Sequence, residues 1–520
     1  MSDRLQSPKG TRDFYPEDML RRRYIEKAWR DTAIRHAFEE IDGPTFEDRA
    51  LYERKSGEGI LSEMFGVFSG KDEAELKTLR ESGQAPYALR PEFTPTLARM
   101  YAAKAGGLPK PTRWFWQQNC FRAEKPQRGR LREFLQWNCD IIGSGGGDNE
   151  PEAQARVDAE LICCALALFV GLGLEPSAAT ALIGHRKAHE RLAEAKGLAG
   201  DRTSKWIALL DRREKVSRQQ FLSEAEGLGL STDAVQQIEQ ELGLSILGAW
   251  DHARSQPDKL AGALKPHHGD INRVVSAQIM NLVGSELVCI QDTINDAGYV
   301  DWYKLELGIA RGLAYYTGMV FEVHETGGKE RAIAGGGRYD NLIELFGGPP
   351  TAAVGFGMGD VVLSLVLEDR GLMPAGKDLL HALSLPSASL RPDVFVISNG
   401  QPECDAALRP LVAQLRRGVE SPRWLDRAER KPWDADRYAP VDDADHRTAP
   451  PLHARHTSKS TKNIGKLLQE ASGSHARFAA IIEIANQDAS QGEVTLKNLD
   501  TREERKVPIA ELAHAIANWR

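Results

Sequence analysis

Between residues 113 and 143 the chain reads RWFWQQNCFRAE, KPQRGRL and REFLQWNCDIIG. Two strand-like runs flank a basic, glycine-containing loop, the spacing of a long hairpin. A side-chain period of two puts Gln118, Cys120, Arg122 and Glu124 on one face of the first run, and Phe134, Gln136, Asn138, Asp140 and Ile142 on one face of the second. These polar groups stand among Trp116, Phe121, Trp137 and Ile141, in segments apolar enough to be buried. A buried polar face needs partners or a ligand, so the pattern points either to a binding site or to an internal salt-bridge network. ALRPEFTPTLARM, residues 88–100, adds Arg90, Glu92 and Thr94 at alternate positions. Glu92 could hold an ammonium group, or the two oxygens could cap the helix that follows. GIARGLAYYTGMVFEV, residues 308–323, sets Arg311, Tyr315 and Tyr316 in a strand-like run. AIAGGGRYDNL reads as a glycine-rich turn leading into a helix, with neither the lysine of a P-loop nor the GxGxxG spacing, and close backbone packing or substrate approach would each explain its three consecutive glycines.

The elements that must position these residues follow from local pattern. Residues 16–41 have helical periodicity after Pro16, and Gly43 and Pro44 end a short strand. A second helix is expected from about residue 150, capped by Asn149 or Asp148 with Pro151 in its first turn. Residues from about 195 to 285 are charged, helical in pattern and inserted between two strand-rich halves. AVGFGMGDVVLSLVLE passes from strand to helix, and a Ser- and Pro-containing linker spans 383–392. Beyond it, strand and helix alternate as in a small α/β domain. Within that domain, residues 418–456 are polar and broken by prolines, and are expected to form a long mobile loop.

Bulk properties narrow the class. At 520 residues, about two to four domains are expected, and 41% hydrophobic with 27% charged residues suits a globular chain. The charged N-terminal stretch has no apolar signal core and no run reaches the length of a bilayer span, so a cytoplasmic, membrane-free protein is expected. Six cysteines, at 120, 139, 163, 164, 289 and 404, form no CxxC pair, which favours reduced thiols over disulfides or a zinc site. A net charge of −7 argues against indiscriminate nucleic-acid binding, and nothing points to DNA; any RNA contact must be local.

Taken together, KGTRDFYPEDM, LRPEFTPTLARM, FRAEKPQRGRLREFLQWNCDIIG, ARGLAYYTGMVFEV, AGGGRYDNL and AVGFGMGD resemble, in order, the class II aminoacyl-tRNA synthetases and within them the histidyl branch. The resemblance implies an α+β fold: an antiparallel-sheet catalytic domain (1–195 and 286–382), a helical insertion (196–285) and a C-terminal α/β anticodon-binding domain (390–520). It implies activation of L-histidine by ATP, with Mg²⁺, to histidyl-adenylate and pyrophosphate, then transfer to the 3′ end of tRNA(His) by a homodimer paired through the first helix and strand. By the same resemblance Arg122 and Arg311 are catalytic, both at the α-phosphate, with Arg311 also at the substrate carboxylate. Glu92 and Thr94 hold the α-amino group, and Gln136 reads the amino-acid backbone groups. Asp140 and Tyr316 meet the imidazole, with Tyr315 and Tyr339 shaping the pocket. Glu124 and Phe134 surround adenine, and Arg130 meets the terminal phosphate or the tRNA end. No dedicated metal ligands are implied. The family's last motif usually carries an ATP-holding arginine three residues after the position of Gly359. Here that position is Val362, so either another arginine makes the contact or ATP is held less tightly.

Overall fold

The computed structural model describes residues 5–55, 62–143, 151–213, 216–243, 283–309, 315–328, 330–440, 448–458, 461–485 and 491–519. Helix α1 spans Pro16–Arg35. Proline occupies its first turn, and the Asp18 carboxylate accepts the Tyr15 N–H at 3.1 Å, closing the N-terminus. The helix stops where Ala37 turns to φ +65°, earlier than residue 41, and the chain enters strand β1 (Glu39–Glu40).

Strands β2 (Phe46–Asp48), β3 (Gly66–Val67) and β4 (Tyr87–Leu89) form a small antiparallel sheet that leads into helix α2 (Thr94–Lys104). The expected hairpin is present as β5 (Thr112–Phe121) and β6 (Glu133–Ile142), paired directly from Thr112↔Ile142 to Phe121↔Glu133. After helix α3 (Pro151–Gly171) come β7 (Ala179–His185), β8 (Tyr303–Leu305), β9 (Met319–Glu325), β10 (Ala334–Arg338) and β11 (Ala353–Gly359). Helix α4 (Asp360–Asp369) follows β11 without a break. The expected caps of α3 at residues 148 and 149 lie outside the described residues.

The large sheet runs β1-β5-β6-β11-β10-β9-β7-β8 and is parallel only at its two outer pairs. Alternation along β6 divides it into two faces: Leu135, Trp137, Cys139 and Ile141 join the core beneath α1 and α3, where Trp29 stacks on Trp137 at 6.0 Å between ring centroids. Of the segment expected to be an inserted helical region, the helices Asp201–Asp211, Arg218–Leu228 and Thr232–Gly243 are described, and Trp206, Phe221 and Ile238 join the same apolar core. Residues 244–282 lie outside the described set. The AGGGR segment, read as a turn, is strand β10. A side chain at Gly336 would run into β11 and the Phe321 ring, so these glycines permit close strand packing in place of turning the chain.

The C-terminal region forms its own sheet, ordered β13 (Ala454–His456), β12 (Val394–Ser398), β14 (Phe478–Ala485), β15 (Gly492–Asn498) and β16 (Glu504–Pro508), with helix α5 (Pro402–Arg417) packed against it. The expectation of a mobile loop at 418–456 is corrected for its described part. Trp433 is buried and meets Tyr24 edge-on at 6.4 Å, while Arg437 donates to the carbonyls of Val170 and Gly171 and to Glu420. A few anchors docked on α1 and α3 hold a segment whose overall polarity hides them.

Burial also sets a pH dependence. His185, His189 and His453 are pushed down to about 3, 4 and 3, first by loss of hydration. His453 accepts from the Arg455 guanidinium on one ring nitrogen and meets the Ser389 carbonyl with the other, a pairing only the neutral ring satisfies. These folded values lie below the ordinary 6.5, so the unfolded chain binds the extra protons and stability falls as pH drops from 6.5. Each group contributes about 1.4 kcal/mol per pH unit. Asp158, raised to about 6 by burial against the opposing pull of Arg338, acts in the reverse sense, as do the carboxyls of Glu124 and Asp360 that burial also raises, while His36, lowered by burial, adds to the three histidines. We expect a lower urea midpoint at pH 5 than at pH 7; equal midpoints would refute this reading.

Candidate active site

A cavity of about 380 Å³ opens on the face of the large sheet away from α1. Every sequence-singled site residue that is described lines it. Its floor is β6, which presents Phe134, Gln136, Asn138 and Asp140 at period two, and β11, paired to it in the register Gly355↔Asp140, Gly357↔Asn138 and Gly359↔Gln136. A Cβ on Gly357 would stand 2.6 Å from the Gln136 amide nitrogen, and one on Gly355 would run into the Asp140 carboxylate. Glycine on β11 is what lets both polar side chains lie across the sheet.

At one end Tyr339 donates its hydroxyl to Asp140 Oδ1, and both residues are 2% exposed. The Tyr315 and Tyr316 rings meet at 4.1 Å between centroids. Burial raises the Tyr316 and Tyr339 pKa values, so both hydroxyls stay protonated and able to donate. Gln136 gives its amide N–H to Asn138 Oδ1 at 2.8 Å, which orients its carbonyl oxygen. Thr94 is the first residue of α2, but its cap position is Phe93, with no side-chain cap bond. The capping alternative for Glu92 and Thr94 therefore does not hold; both face the cavity.

The other end is charged. The Arg122 side chain donates to the Pro91 carbonyl at 3.0 Å and lies over the Phe134 ring at 5.2 Å. Arg130 pairs with Glu124, whose carboxyl is pushed up by burial against the pull of Arg130. The salt-bridge network weighed from the hairpin thus exists at Glu124, and it lies inside the cavity. Val362 lines the same end and is 7% exposed. Its neighbour Asp360 points elsewhere: it accepts from Arg12 at 2.7 Å and from the Leu135 N–H at 2.9 Å, tying the N-terminal segment to β6.

Arg311 lies outside the described residues. Two charged residues that sequence reading passed over, Glu322 on β9 and Arg331 before β10, also line the cavity. Glu322 follows the period of a strand and could have been found by it. Arg331 stands in the charged turn GGKERA, where an arginine reads as a solvated side chain.

Comparison with known proteins gives a consistent set of relatives. Residues 10–359 match the family model described as histidyl-tRNA synthetase, and residues 453–519 match an anticodon binding domain. A curated histidine–tRNA ligase of Thermococcus kodakarensis is 30% identical over 518 residues, covering 99% of each chain. One from Opitutus terrae is 36% identical over 374 residues, 71% of this chain and 76% of that one. Among solved structures, histidyl-tRNA synthetase from Nostoc matches with a TM-score of 0.51 at 21% identity, over 99% of this chain and 100% of that one, a likeness of fold.

Proposed function

Since the chain belongs to the histidyl-tRNA synthetase family, we infer that the cavity on the β6–β11 face is where histidine meets ATP. The reaction is that of a histidine–tRNA ligase: histidine and ATP give histidyl-adenylate and pyrophosphate, and the histidyl group passes to tRNA(His). One observation carries the placement of the site. Residues as far apart in sequence as Glu92 and Tyr339, each singled out before the fold was known, line a single cavity.

In this reading Asp140, oriented by Tyr339, accepts an imidazole N–H, and Tyr316 serves the other ring nitrogen. Tyr315 walls the pocket, Glu92 and Thr94 hold the ammonium group, and Gln136 reads the amino-acid backbone groups. Arg122 and Arg311 neutralise charge at the α-phosphate as the histidine carboxylate attacks phosphorus and pyrophosphate leaves. Fixed guanidinium forks suit that task because they need not reorganise as charge accumulates. Glu124 and Phe134 take adenine, and Arg130 takes the terminal phosphate or the tRNA end. Mg²⁺ enters with the triphosphate as MgATP, whose charge it offsets.

We propose that the chain divides into a catalytic domain (1–195 and 286–382) with a helical insertion (196–285) and an anticodon-binding domain (390–520); the two family matches, over 10–359 and 453–519, agree with separate catalytic and anticodon-binding parts. The insertion would serve the acceptor arm. We further propose a twofold homodimer through α1 and the edge strand β1, and a cytoplasmic location beside its tRNA and ATP. Among the described residues no helix is long and apolar enough to cross a membrane.

The test is exchange of labelled pyrophosphate into ATP by the purified protein. Exchange that requires histidine, and that no other amino acid supports, is expected. Exchange absent with histidine, alongside tight histidine binding by calorimetry, would favour a histidine-sensing role over catalysis.

A further inference from the structure

The charged end of the cavity contains three guanidinium groups that are not equivalent. Arg122 is held by the Pro91 carbonyl and the Phe134 ring, and Arg130 is held by Glu124. Arg331 also lines the cavity, and among the described residues it has neither a hydrogen bond nor an ion-pair partner. Its neighbour in sequence, Glu330, is committed to Arg128 at 2.6 Å and so does not neutralise it. Arg331 nevertheless sits close enough to Glu124 and Arg130 for its charge to act on both.

The wall near these groups offers an anion little. Val362 is apolar and packs near Gly129, where an added Cβ would meet its methyl at 3.4 Å. The acidic start of α4 faces Arg12 and Leu135. Among the described residues an anion entering this end would find its uncommitted cation at Arg331, and a forked, planar guanidinium matches phosphate oxygens well.

We propose that Arg331 binds the terminal phosphates of ATP, a contact that residue 362 cannot make in this chain. The proposal rests on the cavity being the ATP site. It predicts a ligand-dependent effect that a solvated surface arginine would not show, because only nucleotides with phosphates beyond the first would reach it. The alternative is that Arg331 is a solvated side chain with no ligand.

The experiment is calorimetric binding of α,β-methylene-ATP and of AMP to the full-length protein and to its Arg331→Ala and Arg331→Lys variants. Arg331→Ala is expected to bind the ATP analogue about tenfold more weakly while AMP affinity changes by less than about twofold. Arg331→Lys should fall between, since lysine keeps the charge and loses the fork. Unchanged affinity for the ATP analogue, or equal losses for the two nucleotides, would overturn the proposal. Because Arg331 is exposed, its removal leaves no cavity in the core. Failure of the wider reading looks different: the unaltered protein would show no histidine-dependent pyrophosphate exchange, whatever the variants bind.

Discussion

Asp140→Ala lowers kcat/KM for histidine in pyrophosphate exchange by about 10⁴-fold, with KM for ATP within about threefold of the unaltered protein, if Asp140 accepts the imidazole N–H. The expected size follows from burial. Asp140 is 2% exposed on the cavity floor, and the Tyr339 hydroxyl that it accepts is equally enclosed. Removing the carboxylate leaves both that hydroxyl and the incoming imidazole N–H without an acceptor in a place that water reaches poorly. A buried donor left unmade costs more than the net worth of an ordinary hydrogen bond. The same argument explains selectivity: a substrate lacking the ring N–H would forgo the bond to Asp140. ATP binding should be nearly untouched because Arg122, Arg130 and Glu124 occupy the other end of the cavity. Equal losses for histidine and ATP would mean that Asp140 holds the sheet together and does not read the substrate.

Arg311→Ala is expected to lower kcat for exchange by about 10³-fold, with the circular dichroism spectrum and thermal midpoint unchanged. Its chain position motivates this. Two residues before it, the Ile309 carbonyl is tied to His189 at 2.9 Å, and four residues after it Tyr315 enters the cavity wall. In the proposed reaction Arg311 is the cation that meets the reacting carboxylate and phosphate. The loss should fall on kcat more than on either KM, because a cation placed where charge develops stabilises the transition state more than the bound substrates. Turnover within about twofold of normal would remove Arg311 from the chemistry and leave Arg122 as the cation at the α-phosphate.

Much of this site could be read before any fold was known. The β6 face was legible because a two-residue period is local: Gln136, Asn138 and Asp140 declare one side, and Trp137 and Cys139 the other. Arg122, Glu124 and Phe134 came from the hairpin and from the family resemblance, and the paired tyrosines from a motif of one branch. Close backbone packing at the three glycines was legible, but the turn they suggest locally is strand β10, which is defined by its neighbours β9 and β11. The 418–456 region was misread because composition averages over a segment, and Trp433 and Arg437 are too few to create a period.

The sequence by itself determined the β5–β6 hairpin, most helices of the catalytic core and the chemistry of the cavity floor, since each is written in short-range spacing, and its ordered motifs carried the family resemblance. Only the tertiary structure decided that Gly355 and Gly357 must be bare so that Asp140 and Gln136 can lie over them. It also decided that Asp360 holds Arg12 and Leu135, 348 and 225 positions away along the chain, and so points away from the cavity that Val362 lines. Arg331 reaches the cavity through that same geometry. Such contacts join residues whose separation has no period, so they exist only once the sheet has closed around them.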